Sequence, residues 1–245
     1  MHIGSVSDSP HPTYTATLRR PLRDDSEYLP VKAGLVSDLW PQPAFQHDDY
    51  VRWQLSMLQS EAGEQHWQYW QKLLSGDLPV LSLPTDRPRP AVQTYEGASH
   101  RFTLGTDLVT KLHALALAEK VTLFTLMLSA YQVLLYRYSH QDDILVGTPA
   151  LGRTHATWER VIGYLTNPVI VRARIEQNLS FRELLQQTNR GVLSALEHQD
   201  FPFALLAERL QLRRDPSYPF GTAILIQSRA FNHSINMISV FDGSF

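Results

Sequence analysis

From Ser99 onward, strand-like and helix-like patterns take turns along the chain, and this alternation limits the fold more than any other feature. "SHRFTL" reads as a strand, and "TDLVTKLHALALAEK" as an amphipathic helix with Leu108, Leu112 and Leu115 on one face and Thr106 as its cap. "TLFTLMLSAYQVLLYRYS" is apolar nearly all round, which marks a core helix. "DILVGTP" and "NPVIVRARI" follow as short buried strands. "SFRELLQQTNRGVLSALEH" opens with Ser180 and Glu183 in capping-box spacing and keeps helical time through Leu184, Leu185, Val192 and Leu196. "FGTAILIQ" closes as a strand. Elements ordered in this way bury their apolar faces by layering helices on a sheet, so the expected class is α/β, a mixed β-sheet flanked by helices.

Upstream the pattern differs. Residues 1–45, rich in Pro, Ser and charge, hold no sustained period and are expected to form an irregular leader. "DDYVRWQLSMLQSEAGEQHWQYWQKLLSG" is helical, with Trp67, Trp70 and Leu74 at three- and four-residue spacing and Gly76 as the stop. Pro79, Pro84, Pro88 and Pro90 then exclude regular structure and predict an extended strap lying on the body of the protein.

The 245 residues are 43% hydrophobic and 10% aromatic, enough for a packed core. A net charge of −2 gives no basic footprint for nucleic acid and no polybasic membrane anchor. The absence of cysteine excludes a disulfide framework and thiolate chemistry. The most apolar run, Leu123 to Tyr136, is too short to span a bilayer, and no signal-type segment opens the chain, so a soluble, cytoplasmic protein is expected.

None of the ten histidines falls in a zinc-binding or metalloprotease spacing, and no metal site is expected. No hydrolase elbow, Walker loop or dinucleotide glycine set occurs. His113 and His66 read as packing histidines on helices, and Asp142-Asp143 and Asp48-Asp49 as turn formers rather than cation ligands. "GTPALGRTH" is a strand-to-loop exit. The stretch "EHQDFPFALLAERL" sets His198 and Asp200 between two helices, with Pro202 at the start of the second. Asp200 is expected to cap that helix rather than to do chemistry.

Four phrases in this order resemble the last four signature motifs of the condensation domain of nonribosomal peptide synthetases. "HDDYVRW" (47–53) is similar to Tyr-x-Asp-Tyr-Ala-Val-Trp, and "IGYLTNPVIVR" (162–172) to Ile-Gly-x-Phe-Val-Asn-Thr-Leu-x-x-Arg. "HQDFPFA" (198–204) is similar to His-Gln-Asp-x-Pro-Phe-Glu, and "RDPSYPF" (214–220) to Arg-Asp-x-Ser-Arg-x-Pro-Leu. The wording of the strap region also matches the family. His47, Pro168 and Ala204 depart from the family's Tyr, Thr and Glu, and the last motif is one residue short before Pro219. The family's catalytic His-His-x-x-x-Asp-Gly is absent from the sequence, whose only Asp-Gly is Asp242-Gly243.

The resemblance implies two chloramphenicol acetyltransferase-like lobes facing each other across a tunnel. Residues 46–245 are expected to be the inter-lobe connection and one such lobe, the C-terminal one, incomplete at both ends. The implied activity is amide formation between acyl or aminoacyl thioesters on phosphopantetheine arms, with no bound cofactor. Carrier proteins and an N-terminal condensation lobe would be the partners, and a homodimer would cover an apolar face left open. No catalytic residue is assigned, and the chain alone is expected to be inactive. Asn167 is the candidate substrate contact, its amide suited to a pantetheine amide or substrate carbonyl, with termination of a loop as the competing role. Gly163 is a second candidate, read more readily as a point of close backbone approach. The alternative function is a non-catalytic interaction module that packs on another synthetase domain.

Overall fold

A computed structural model describes residues 44–84 and 104–210, with the backbone of two further strands at 223–229 and 234–240. The chain forms two compact units, and the described part of the first comprises residues 44–64 and 151–166. Helix α1 (His47–Leu58) opens it. The Asp49 carboxylate accepts from the Gln46 N–H at 2.8 Å, one half of a capping box. Asp48 and Asp49 also place negative charge at the positive end of the helix dipole. Tyr50, Trp158, Val161 and Leu165 form the small core, with Trp53 against it. A single 3₁₀ turn, Ala156–Trp158, delivers the second tryptophan. The helical stretch expected as one run is two helices, because α2 (Glu61–Leu73) begins anew after a break at Gln59 and Ser60.

The second unit takes α2 from Gln65, then α3 (Thr106–Ala118), α4 (Leu123–Ser139), β1 (Asp143–Ala150), β2 (Asn167–Arg174), α5 (Phe181–Glu197), α6 (Phe203–Arg209), β3 (Ala223–Arg229) and β4 (Ser234–Val240). The sheet runs β2-β1-β3-β4. β1 and β2 are antiparallel from Asp143 opposite Arg174 to Ala150 opposite Asn167. β3 joins β1 in parallel through Gly147 and Ala223, and β4 returns antiparallel to β3. The sheet is therefore mixed, as expected. β4 was not foreseen.

Alternation along β1 and β2 turns Ile144, Val146, Val171 and Ala173 to one face, where Leu128, Tyr131 and Leu135 of α4 and Leu184 and Val192 of α5 complete the main core. Ser180 caps α5 in the predicted box with Glu183. Leu196 of that helix, expected inside, is exposed, and Thr188 is buried instead, its hydroxyl donating to Gln132 Oε1 at 2.7 Å.

α3 departs further. Thr106 is its first helical residue, with Gly105 in the cap position. Its buried side chains are Val109 and Ala116, with Leu112 partly covered, while Leu108, Leu115 and His113 are exposed. The small Ala116 lets the helix approach Leu126 and Leu185, and the larger leucines are left to the flanks. His113 is thus a surface residue rather than a packing one.

The strap is free of helix and strand over residues 77–84, with Leu81 and Leu83 against the main core. Its continuation to Pro90, the leader before residue 44, most of the "SHRFTL" strand and the "RDPSYPF" phrase lie outside the described residues. Among the described residues no single helix is long and apolar enough to cross a membrane.

Candidate functional site

The turn between α5 and α6 gathers four of the side chains singled out in the sequence, His66, Asn167, His198 and Asp200. At the end of α5, His198 Nδ1 lies 2.8 Å from the Ser194 carbonyl. A carbonyl only accepts, so Nδ1 carries a proton and donates it. The His198 carbonyl accepts in turn from Trp70 Nε1 at 3.0 Å. Tyr69 stacks on the His198 ring at 3.9 Å between centroids, and His66 meets it edge-on at 5.2 Å. One turn further, Trp67 lies 6.0 Å from Phe201, and the Arg209 guanidinium sits over both rings. The phrase "HQDFPF" is seated on the aromatic face of α2, the helix that reads "HWQYW".

These surroundings shift two ionisations. Burial lowers the pKa of His66, and the neighbouring His198 lowers it further, with Asp200 opposing. Its Nδ1 is buried and has no hydrogen-bond partner among the described residues. Burial, aided by Glu197, pushes the Tyr69 phenol up to about 12. Among the described residues no group of three His, Cys, Asp or Glu is placed to hold a metal ion.

Asn167, the first residue of β2, faces this turn. Its Nδ2 donates to the carbonyls of Gln199 at 2.8 Å and Phe201 at 2.7 Å, and its Oδ1 accepts from the Phe203 N–H at 2.9 Å. Both amide protons are occupied within the chain. The cap of α6 is accordingly not Asp200. Pro202 holds the N-cap position without a side-chain bond, and the Phe203 N–H donates to Asn167 Oδ1, 36 residues away in sequence.

β2 also carries Arg172. Its guanidinium pairs with both carboxylate oxygens of Asp143, Nε to Oδ1 at 2.8 Å, and donates to the Leu73 carbonyl at 2.7 Å. The hydrogen bond to Asp143 is the largest cause holding the Arg172 pKa above its usual value. Asp143 is thus an ion-pair partner at the head of β1, a role that reading it as a turn former missed.

In the first unit, Gly163 lies against His47: a Cβ at that position would collide with the imidazole. Two separate phrases, "HDDYVRW" and "IGYLTN", therefore meet, joined also by the packing of Tyr50 and Trp53 with Trp158, Val161 and Leu165. The loop that leads there leaves β1 through Gly152 at φ 65°, the strand exit read from "GTPALGRTH". The aromatic partners of His198 were the residues least visible in advance, although the run of four ring side chains at His66, Trp67, Tyr69 and Trp70 on one helix was their signal.

Together these features define an α/β unit with a mixed sheet, in which motif residues serve as packing junctions. Residues 34–242 match the family described as the condensation domain. The chain belongs to the condensation domain family. It is 41% identical over 190 residues to surfactin synthase subunit 1 of Bacillus subtilis (strain 168), covering 77% of this chain and 5% of that protein. It is 40% identical over 172 residues to tyrocidine synthase 3 of Brevibacillus parabrevis, covering 70% and 3%. The chain thus spans only a few per cent of the length of these relatives. In fold it is similar to the X-domain from teicoplanin biosynthesis, with a TM-score of 0.78 at 20% identity over 95% of this chain and 61% of that one. It is similar also to the condensation domain from the Monacolin K polyketide synthase MokA, with a TM-score of 0.76 at 17% identity over 96% and 62%.

Proposed function

We propose that residues 46–245 form the inter-lobe connection and second lobe of a nonribosomal peptide synthetase condensation domain. In this reading the chain takes part in forming an amide between acyl or aminoacyl thioesters delivered on phosphopantetheine arms by carrier proteins. The amine of the acceptor attacks the donor thioester carbonyl, the thiolate of the donor arm leaves, and the amine loses a proton. No residue of this chain is given the proton-transfer role, since the sequence contains no His-His-x-x-x-Asp-Gly. That group is expected from an N-terminal lobe, where a histidine is suited to work near neutrality.

The observation that carries this reading is the meeting of signature phrases inside each unit: "HDDYVRW" against "IGYLTN" at His47 and Gly163, and "HQDFPF" against the start of β2 at Asn167. In this proposal Asn167 is a positioning residue that fixes the α5–α6 turn, and Gly163 serves by admitting the His47 ring. The test is product formation, read by mass spectrometry with loaded carrier proteins. The chain alone should give no amide above background, because proton transfer and positioning by the missing histidine ordinarily contribute ~10²–10⁴-fold. Adding a first lobe that carries the motif should give turnover. Turnover by the chain alone, abolished by His198→Ala, would overturn the proposal and make His198 catalytic.

A further inference from the structure

The strap poses a problem of backbone chemistry. It leaves α2 through Gly76, whose φ of 80° turns the chain, and runs extended past Ser82. Leu81 and Leu83 point inward against the main core, while Val80, Ser82 and Pro84 point out. An extended segment presents N–H and C=O groups that a neighbouring strand would normally meet. The described sheet has four strands, and the strap is not among them.

Along the Val80–Ser82 edge a side chain meets these groups. The Ser82 N–H donates to Gln141 Oε1 at 2.7 Å, and Gln141 Nε2 donates to the Val80 carbonyl at 2.9 Å. A primary amide offers a donor and an acceptor side by side, as a peptide group does, so it reads extended backbone whatever its side chains. The two bonds also settle which end of the amide is which, since the reverse orientation would face N–H against N–H and oxygen against oxygen. Gln141 is aimed from both sides. His140 before it ends α4 in the left-handed region at φ 56° and ψ 24°, and the Gln141 N–H donates to Ser139 Oγ at 3.2 Å. Two residues on, Asp143 begins β1.

We propose that Gln141 is the latch of the strap, a side-chain amide that meets the Val80–Ser82 edge as a neighbouring peptide group would and sets the strap's register on the core. The leucines supply apolar contact, but a slip by one residue would exchange Leu81 and Leu83 for Val80 and Ser82 at the inward positions. The amide bonds only every second residue on one edge and so forbids that slip. Both of these hydrogen bonds come from one side chain, so a change at Gln141 alone reaches them without touching the strand ladder.

Amide hydrogen exchange on the full chain tests this, comparing Ser82 with Val146 and Val171 in the β1–β2 ladder. Gln141→Ala should lower the protection factor of Ser82 about tenfold while leaving the two strand amides unchanged. Gln141→Glu gives the sharper result. Near pH 7 its carboxylate keeps an acceptor for Ser82 but sets a negative oxygen against the Val80 carbonyl, so protection should fall. Near pH 4 the protonated acid again offers a donor beside an acceptor, and protection should return toward the wild-type value. Unchanged Ser82 protection in Gln141→Ala, equal loss at Ser82 and in the strands, or no recovery of Gln141→Glu at low pH would each overturn the latch.

Discussion

Replacing Asn167 by alanine removes three hydrogen bonds at once, two donated to the Gln199 and Phe201 carbonyls and one accepted from the Phe203 N–H. Net worth per bond is ~0.5–1.5 kcal/mol, and the site is only half-buried, so the loss should total about 1.5–4 kcal/mol. Urea unfolding followed by tryptophan fluorescence is the natural assay, since Trp67 and Trp70 report directly on the turn. Asn167→Asp separates this account from simple loss of packing. Its carboxylate retains an acceptor for Phe203 but turns an anionic oxygen toward two carbonyls that now lack donors. At pH 7 it should therefore cost at least as much as alanine. The same repulsion raises the folded-state pKa of the introduced carboxyl above its unfolded value of ~3.9. The folded form then binds the proton more tightly, so the variant should recover stability relative to wild type as pH falls through that raised pKa. An alanine variant within ~0.5 kcal/mol of wild type, or an aspartate variant with no such recovery, would refute the reasoning.

Three further outcomes are expected. The folded-state pKa of His66 is depressed first by burial and then by His198, so its contribution is full above an unfolded value of ~6.5 and lost as pH falls through the folded pKa; His66→Phe should flatten this part of the stability profile, and in His198→Ala an NMR titration should place His66 higher than in wild type. Lys120 sits left-handed at φ 56° where α3 ends, with Val121 N–H bonded to the Ala116 carbonyl and Lys120 N–H to that of Leu117. This is a Schellman arrangement that favours glycine, so Lys120→Gly should raise stability by ~0.5–1 kcal/mol in thermal or urea unfolding. Asp143→Ala should cost ~3–5 kcal/mol by leaving the guanidinium of Arg172, only 7% exposed, without its anion, and the double change with Arg172→Met should cost less than Asp143→Ala alone.

What could be read in advance followed the range of the interactions involved. The Ser180–Glu183 box and the β1 and β2 strands were readable because the signal and its structural consequence lie within a few residues of each other. The stripe on α3 was visible as a period, but which side of it docks was decided by Ala116 and its neighbours on α4 and α5, which no local pattern contains. β4 escaped because "SINMISV" mixes Ser and Asn into a strand at the edge of the described sheet, where apolar alternation can be weak. Asp200 looked like the cap of α6 because it is adjacent, whereas Pro202 holds the N-cap position and Asn167 of β2 accepts from the Phe203 N–H. Family resemblance marked Asn167 as a position of interest, while Arg172 was only the last residue of a matched phrase. Their geometry, an amide holding a turn and a guanidinium joining two strands to the end of a helix, came only from the fold.

The seating of α2 carries a consequence for how the protein is made. Trp70 waits for a carbonyl 128 residues downstream, and the Leu73 carbonyl for a guanidinium 99 residues downstream. Synthesis at ~5–20 residues per second leaves roughly 6–26 s during which the aromatic face of α2 has left the ribosome and its cover has not yet been made. Over that interval Trp67, Tyr69 and Trp70 form an apolar stripe on a helix whose partner surface does not yet exist. The nascent chain therefore offers a binding site for a holdase chaperone at a point well before the sheet can close, and ribosome profiling of chaperone-bound nascent chains should show occupancy that begins after α2 emerges and ends once the turn at His198 is out.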